Sequence, residues 1–157
     1  MDYDIMETPF GELLIAGDEE GLRFLLFDCE REGRCARPDW QRRPGKLADV
    51  RRQLGEYFDG ARRDFDVRLA PEGTEFQQRV WNELGKIPYG QTISYGELAR
   101  RVGNPNASRA VGAANGRNPI SIIIPCHRVI GSTGKLTGYG GGLPVKVGLL
   151  ELERPIR

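Results

Sequence analysis

The sequence predicts a mixed α/β (α+β) protein: strands and a helix first, then a helix-turn-helix with a wing. Three observations predict it. Short apolar runs broken by turn residues fill the stretch from Asp2 to Asp28. Two consecutive capping signals, Thr74…Gln77 and Ser94…Glu97, precede apolar residues at helical spacing. A glycine-rich tail, "RVIGSTGKLTGYGGG", follows an apolar run that ends in a proline.

"DYDIMET", "GELLIAG" and "LRFLLFD" are separated by the turns "PFG" and "DEEG", so an antiparallel meander is the economical arrangement. "EREGRCARPDWQRRPGK" is arginine-rich and patternless, and reads as a long surface loop. "LADVRRQLGEYF" places Leu47, Val50, Leu54 and Phe58 at roughly helical spacing, and "RDFDVRL" could return as a strand. "LAPEGT" marks a boundary between a unit over residues 1–70 and a second over 74–157.

In the second unit Phe76, Val80 and Leu84 follow the first capping box. Tyr95, Leu98, Ala99 and Val102 follow the next one, and Gly103 stops that helix. Asn104-Pro105 is expected to open another helix, with Ala107, Ala110, Val111 and Ala114 on its inner face. Two short helices across such a turn make a helix-turn-helix. The outer face of the second helix carries Ser108, Arg109, Gly112, Ala113 and Gly116. Small residues let another surface approach closely, and that surface is either a DNA backbone or a neighbouring helix. Ser132-Thr133-Gly134 between β-capable stretches predicts a hairpin wing, and "LPVKVGLLELE" closes the chain as a helix.

Charge is unevenly spread. The whole chain carries +1, whereas residues 76–146 hold nine basic and two acidic side chains, a net +7. That asymmetry fits a polyanion partner. The longest apolar run is too short to span a bilayer, and the acidic N-terminus is no secretory signal. A cytoplasmic protein without a membrane role is expected. Three cysteines, one histidine and no C-x-x-C make a metal site improbable. A Cys29–Cys35 disulfide is possible, but a cytosolic setting does not call for one.

The chemistry centres on "NPISIIIPCHRVIG". A cysteine in an apolar run is ordinarily an inert packing residue. Here Pro125 breaks the strand at Cys126, His127 is the only histidine, and Arg128 adds positive charge. A nearby base or cation lowers a thiol's pKa and raises its nucleophilic fraction. Adjacent residues of a strand face opposite ways, so Cys126 and His127 need a turn or a bridging water to cooperate. Glu153, an acid at a helix C-terminus where the dipole disfavours it, could orient the imidazole.

"PCHRV", preceded by "RAVGAANGRNPISIII" and followed by "GYGGG", resembles the O6-alkylguanine-DNA alkyltransferase family. "FQQRVW" and "IPYGQTISYGELA" extend the likeness from about Thr74 to Glu153. The resemblance implies a ribonuclease-H-like N-terminal α/β domain and a winged helix-turn-helix C-terminal domain. It implies irreversible, stoichiometric transfer of an alkyl group from O6-alkylguanine in duplex DNA to Cys126, after base flipping. The implied relay is Cys126, a water, His127 and Glu153, with Tyr95 and Asn118 completing the catalytic set. Arg109 would fill the vacated stack, with Ser108, Ala110, Gly112, Tyr95 and Arg128 as further DNA contacts. Tyr139, Gly140, Gly141 and Pro125 would line the base pocket. Some members carry serine where this chain has Gly140, which implies contact to O6 from backbone amides and a roomier pocket. No cofactor or metal is expected, and the zinc pattern of some members is absent. The implied partner is lesion-containing double-stranded DNA, bound by a monomer, with cooperative assembly and O4-alkylthymine activity left open.

Overall fold

The computed structural model describes residues 1–29, 33–134, 139 and 141–154. Strands β1 (Asp2–Thr8), β2 (Gly11–Asp18) and β3 (Gly21–Phe27) form the expected antiparallel meander. Thr8 faces Gly11 across the first hairpin, where Gly11 takes φ +110°, a conformation that glycine adopts without strain. The second hairpin closes at Asp18 and Gly21, and the Asp18 carboxylate accepts from the Glu20 amide at 2.9 Å.

The middle strand is buried on both faces. Leu13 and Ile15 look into the main core, beside Leu54 and Tyr57 of helix α1 (Ala48–Phe58). Leu14 and Leu26 face the other way, into an apolar cleft walled by Tyr3, Ile5, Cys29 and Cys35. Each such buried leucine contributes about 1.5–3 kcal/mol. From residue 33 on, the arginine-rich segment is more ordered than its sequence implies. Cys29 and Cys35 form a disulfide, Trp40 stacks on Phe24 at 5.7 Å, and β4 (Gln41–Arg42) pairs parallel to β1. The sheet order is β3-β2-β1-β4. "RDFDVRL" does not form a strand; only Leu69 makes a bridge, to Leu22, and the Asp66 amide is taken instead by Gln53.

Helix α2 (Glu75–Leu84) starts at the complete Thr74–Gln77 capping box. In α3 (Tyr95–Arg101) the Ser94 hydroxyl accepts from the Glu97 amide, while the Glu97 carboxylate turns to Arg100 and Arg101. Helix α4 begins later than expected, at Ser108, and runs to Gly116. Asn104 and Pro105 lie in a turn closed by the Ala107 amide on the Asn104 carbonyl. Ala110 consequently falls on the exposed face rather than the inner one. The last helix, α5, spans Leu143–Leu152 with Pro144 near its start.

Of the wing, Val129–Ile130 forms β6, which pairs parallel with β5 (Ile93–Ser94), and a turn follows at Gly131–Gly134. The returning stretch lies outside the described residues. No helix among the described residues is long and apolar enough to cross a membrane.

The meander and the later helices meet at β3. The Leu25 amide donates to the Pro119 carbonyl and the Ser121 amide donates to the Leu25 carbonyl, both at 2.9 Å. The segment leading to Cys126 is thereby held against the sheet edge.

Candidate active site

Three successive constraints shape the segment before Cys126. Asn118, 4 % exposed, donates through Nδ2 to the carbonyls of Ile120 and Ile124, at 3.2 and 2.8 Å. Its Oδ1 accepts from the Ile120 amide at 3.0 Å. Between those anchors Ile122 takes φ +70°, with the Ile123 amide bonded to the Ser121 carbonyl at 2.8 Å. That is a γ-turn of the strained hand at a buried β-branched residue. Pro125, buried, then takes φ −81°, ψ 65° and starts a 3-10 turn over Cys126–Arg128. The chain has left strand geometry at Cys126, as the proline requires.

Cys126 is in no disulfide and is 5 % exposed. His127 is fully buried, and its Nε2 lies 2.7 Å from Glu153 Oε2. Glu153, 2 % exposed, caps α5. It is not a solvated helix end, because Arg128 answers its charge. Arg128 donates Nε to Oε1 at 2.7 Å and a terminal nitrogen to Oε2 at 2.9 Å. A third donor, Tyr57 of α1, reaches Oε2 at 2.5 Å.

Burial pushes the Glu153 carboxyl up, but the hydrogen bonds from His127 and Arg128 outweigh it and hold the pKa at about 2. Burial lowers His127 below its usual 6.5, against the pull of Glu153. The ring is therefore neutral at pH 7. With Glu153 ionised, Nε2 carries the proton and donates, which leaves Nδ1 as the basic nitrogen. Nδ1 is buried and has no hydrogen-bond partner among the described residues.

Sequence reasoning missed two members of this cluster. Tyr57 lies 96 positions from Glu153 and carries no local signal. Lys146 is fully buried on α5 and donates to the Val129 carbonyl at 2.8 Å. Burial lowers its pKa, while the charge of the Cys126 sulfur acts in the opposite sense. A lysine within the apolar "LPVKVGLL" was the available signal.

The remaining expected site residues divide. Ser108, Arg109 and Ala110 are exposed along the start of α4, and Gly112 is half-buried. A Cβ at Gly112 would come to 3.8 Å from the Tyr95 ring, so Tyr95, half-buried at the start of α3, sits beside that helix. Arg128 is a correction: expected on the DNA face, it is 6 % exposed and committed to Glu153 and to the Ile87 carbonyl at 2.7 Å. Tyr139 is buried. Gly141 lies against Tyr139 and Phe27, and a Cβ there would approach within 3.0 and 2.9 Å. Gly140 lies outside the described residues.

Residues 1–71 match the model of the 6-O-methylguanine DNA methyltransferase ribonuclease-like domain, and residues 75–155 that of the corresponding DNA-binding domain. A methylated-DNA–protein-cysteine methyltransferase of Methanosarcina acetivorans is 56 % identical over 154 residues, covering 98 % of each chain. One of Mycobacterium tuberculosis is 51 % identical over 97 % of this chain and 92 % of its own. The crystal structure of Mycobacterium tuberculosis OGT in complex with DNA superposes with a TM-score of 0.91 at 50 % identity, over 98 % of this chain and 93 % of that one. With both of its parts matched and His127, the residue after Cys126, bonded to Glu153, the chain belongs to the 6-O-methylguanine DNA methyltransferase family.

Proposed function

We propose that this protein repairs O6-alkylguanine in duplex DNA by moving the alkyl group irreversibly onto Cys126. The carrying observation is the His127–Glu153–Arg128 cluster, built on the two residues that follow Cys126. It fixes one tautomer of a neutral imidazole and keeps its Nδ1 available as a base.

The Cys126 proton passes to Nδ1 through a bridging water, and Glu153 stabilises the imidazolium that forms. Lys146 favours the thiolate. The sulfur attacks the alkyl carbon in line: a carbon–sulfur bond forms, the bond to guanine O6 breaks, and guanine leaves with the electron pair. Tyr95 lies close to α4 and supplies a hydrogen bond to the departing ring. The product is a thioether, which water does not readily cleave, so each molecule acts once and without a cofactor.

Residues 74–157 carry the DNA-binding and catalytic parts, and residues 1–70 buttress them. The exposed start of α4 meets the DNA, in the cytoplasm, with Arg109 occupying the gap left by the flipped base. Tyr139 and the glycines that follow it wall the pocket.

Intact-mass and peptide mass spectrometry after incubation with O6-methylguanine duplex should find one methyl group, on the Cys126 peptide. Turnover beyond one equivalent, or no adduct at all, would refute the reading. Cys126→Ser should abolish transfer and leave duplex binding intact. Arg109→Ala should slow repair in duplex more than transfer from the free base; equal losses would remove Arg109 from the flipping step.

A further inference from the structure

Two of the three cysteines lie outside the chemistry described above. Cys29 and Cys35, six positions apart, form a disulfide in the wall of the cleft lined by Tyr3, Ile5, Leu14 and Leu26. Both are half-buried, whereas Cys126 is 5 % exposed. Dissolved thiols therefore reach the pair more readily than they reach the nucleophile. Accessible disulfides are the labile class, in contrast to sealed structural ones. In the cytoplasm, where the alkyl-transfer reading puts the protein, thiols are kept reduced and a disulfide is usually a redox sensor.

What the disulfide holds is Arg34. Its amide donates to the Cys29 carbonyl at 3.0 Å, and a terminal guanidinium nitrogen donates to the Arg117 carbonyl at 3.1 Å. Arg117 caps the C-terminus of α4. A cation there answers the negative end of the helix dipole and one of its last carbonyls. Next in the chain come Asn118, whose side chain bridges to Ile120 and Ile124, and Pro119, whose carbonyl accepts from Leu25. Arg34 thus grips the point where the exposed helix turns into the segment that carries Cys126. With the disulfide closed, the residue beside Cys35 has few other places to go. With it open, docking Arg34 costs conformational entropy.

We propose that Cys29 and Cys35 are a reversible thiol–disulfide site whose closed form holds Arg34 on α4 and thereby speeds alkyl transfer in duplex DNA. The proposal rests on the alkyl-transfer reading above and adds a control to it. Opening takes two electrons and two protons, which a dithiol supplies. Its thiolate attacks one sulfur, the S–S bond breaks, and its second thiol displaces the first. Cys29 and Cys35 are left as thiols and the reductant as a disulfide; a disulfide oxidant of the same class reverses the step. The Arg34 contact is solvent-exposed, so the effect is modest, about two- to fivefold for a cation at a helix end.

The test compares oxidised and dithiol-treated full-length protein in single-turnover transfer from an O6-methylguanine duplex. Peptide mass mapping should find Cys29 linked to Cys35 before treatment and both as thiols after it. The final count of methyl groups per molecule should be the same in both forms, which shows Cys126 equally competent. The oxidised form should react about two- to fivefold faster. A Cys29→Ser, Cys35→Ser double variant should run at the slower rate with or without dithiol. Arg34→Ala should still form the disulfide but lose the difference between the two forms. An oxidised form that is no faster would overturn the proposal, as would a failure of Cys29 and Cys35 to pair or a response to dithiol that persists in either variant. The first comparison needs no variant, so it stands even if a substitution prevents folding. Equal transfer by both forms removes only the redox control. No methyl group on Cys126 in either form would instead sink the alkyl-transfer reading itself.

Discussion

Asp4 in the N-terminal sheet and Glu153 at the end of α5 are both buried carboxylates, 1 % and 2 % exposed, and both are paired with arginine. The resemblance ends there. Asp4 bonds Arg42 and Arg51 at 3.1 and 2.7 Å, and those side chains are 55 % and 41 % exposed. Its partners remain in water. Glu153 is bonded by His127, Arg128 and Tyr57, all buried. One carboxylate anchors surface arginines to a strand; the other is a sealed charge with a titratable ring against it. Burial and an arginine partner do not by themselves mark a functional acid. What separates the two is whether the partners can turn to solvent and whether one of them can exchange a proton.

The sharpest way to break that comparison is to neutralise each acid. Glu153→Gln leaves Arg128 buried and uncompensated, and should cost about 3–5 kcal/mol in urea unfolding. It should also slow alkyl transfer by about a hundredfold, because nothing then stabilises the imidazolium. Asp4→Asn frees two arginines that can hydrate and should cost about 1–2 kcal/mol, with transfer unchanged. Similar losses from both would mean the sealed environment of Glu153 has no special weight.

Acid provides the next test. His127 is held below its usual 6.5, so the unfolded chain takes up that proton first, and folding weakens as pH drops below about 6.5. Glu153 behaves in the other sense: its pKa is about 2 in the fold against 4.5 when free. Its contribution is complete above 4.5 and disappears as pH falls toward 2, a loss of about 3 kcal/mol. Unfolding measured across that range should show the second loss removed in Glu153→Gln and retained in Asp4→Asn.

The sequence disclosed more of this architecture than of its wiring. The strands between Asp2 and Phe27 and the Thr74 cap were legible because hairpin turns and capping boxes act over a few residues. Glu153 was legible for a related reason: an acid at a helix C-terminus contradicts its local electrostatics. Arg128 was misread because charge announces itself in sequence but its partner does not. It belongs to Glu153, 25 positions away. The start of α4 slipped because Asn104-Pro105 fits a turn as well as a helix cap. The Cys29–Cys35 disulfide was not called for because a cytosolic setting argues against one, and that argument says nothing of how closely the two residues approach. The Arg128 miss is a contact decided by the tertiary fold.

Tyr57 gives the comparison its finest test, because it is where the two regions touch. It belongs to α1, beside the sheet that holds Asp4, yet its hydroxyl bonds the same Glu153 oxygen that faces His127. Burial raises the phenol above its usual pKa, and the charge of Glu153 raises it further, so it remains a donor at any working pH. Tyr57→Phe deletes that one bond and almost no volume. It should cost about 2 kcal/mol, within the range for a hydrogen bond to a charged group. It should also raise the pKa of Glu153, so that the acid-induced loss is smaller and is complete at a higher pH. Transfer should slow by no more than about threefold, since His127 and Arg128 still hold the carboxylate in place. A hundredfold loss would mean instead that α1 sets the catalytic geometry, and that the N-terminal region belongs to the active site rather than supporting it.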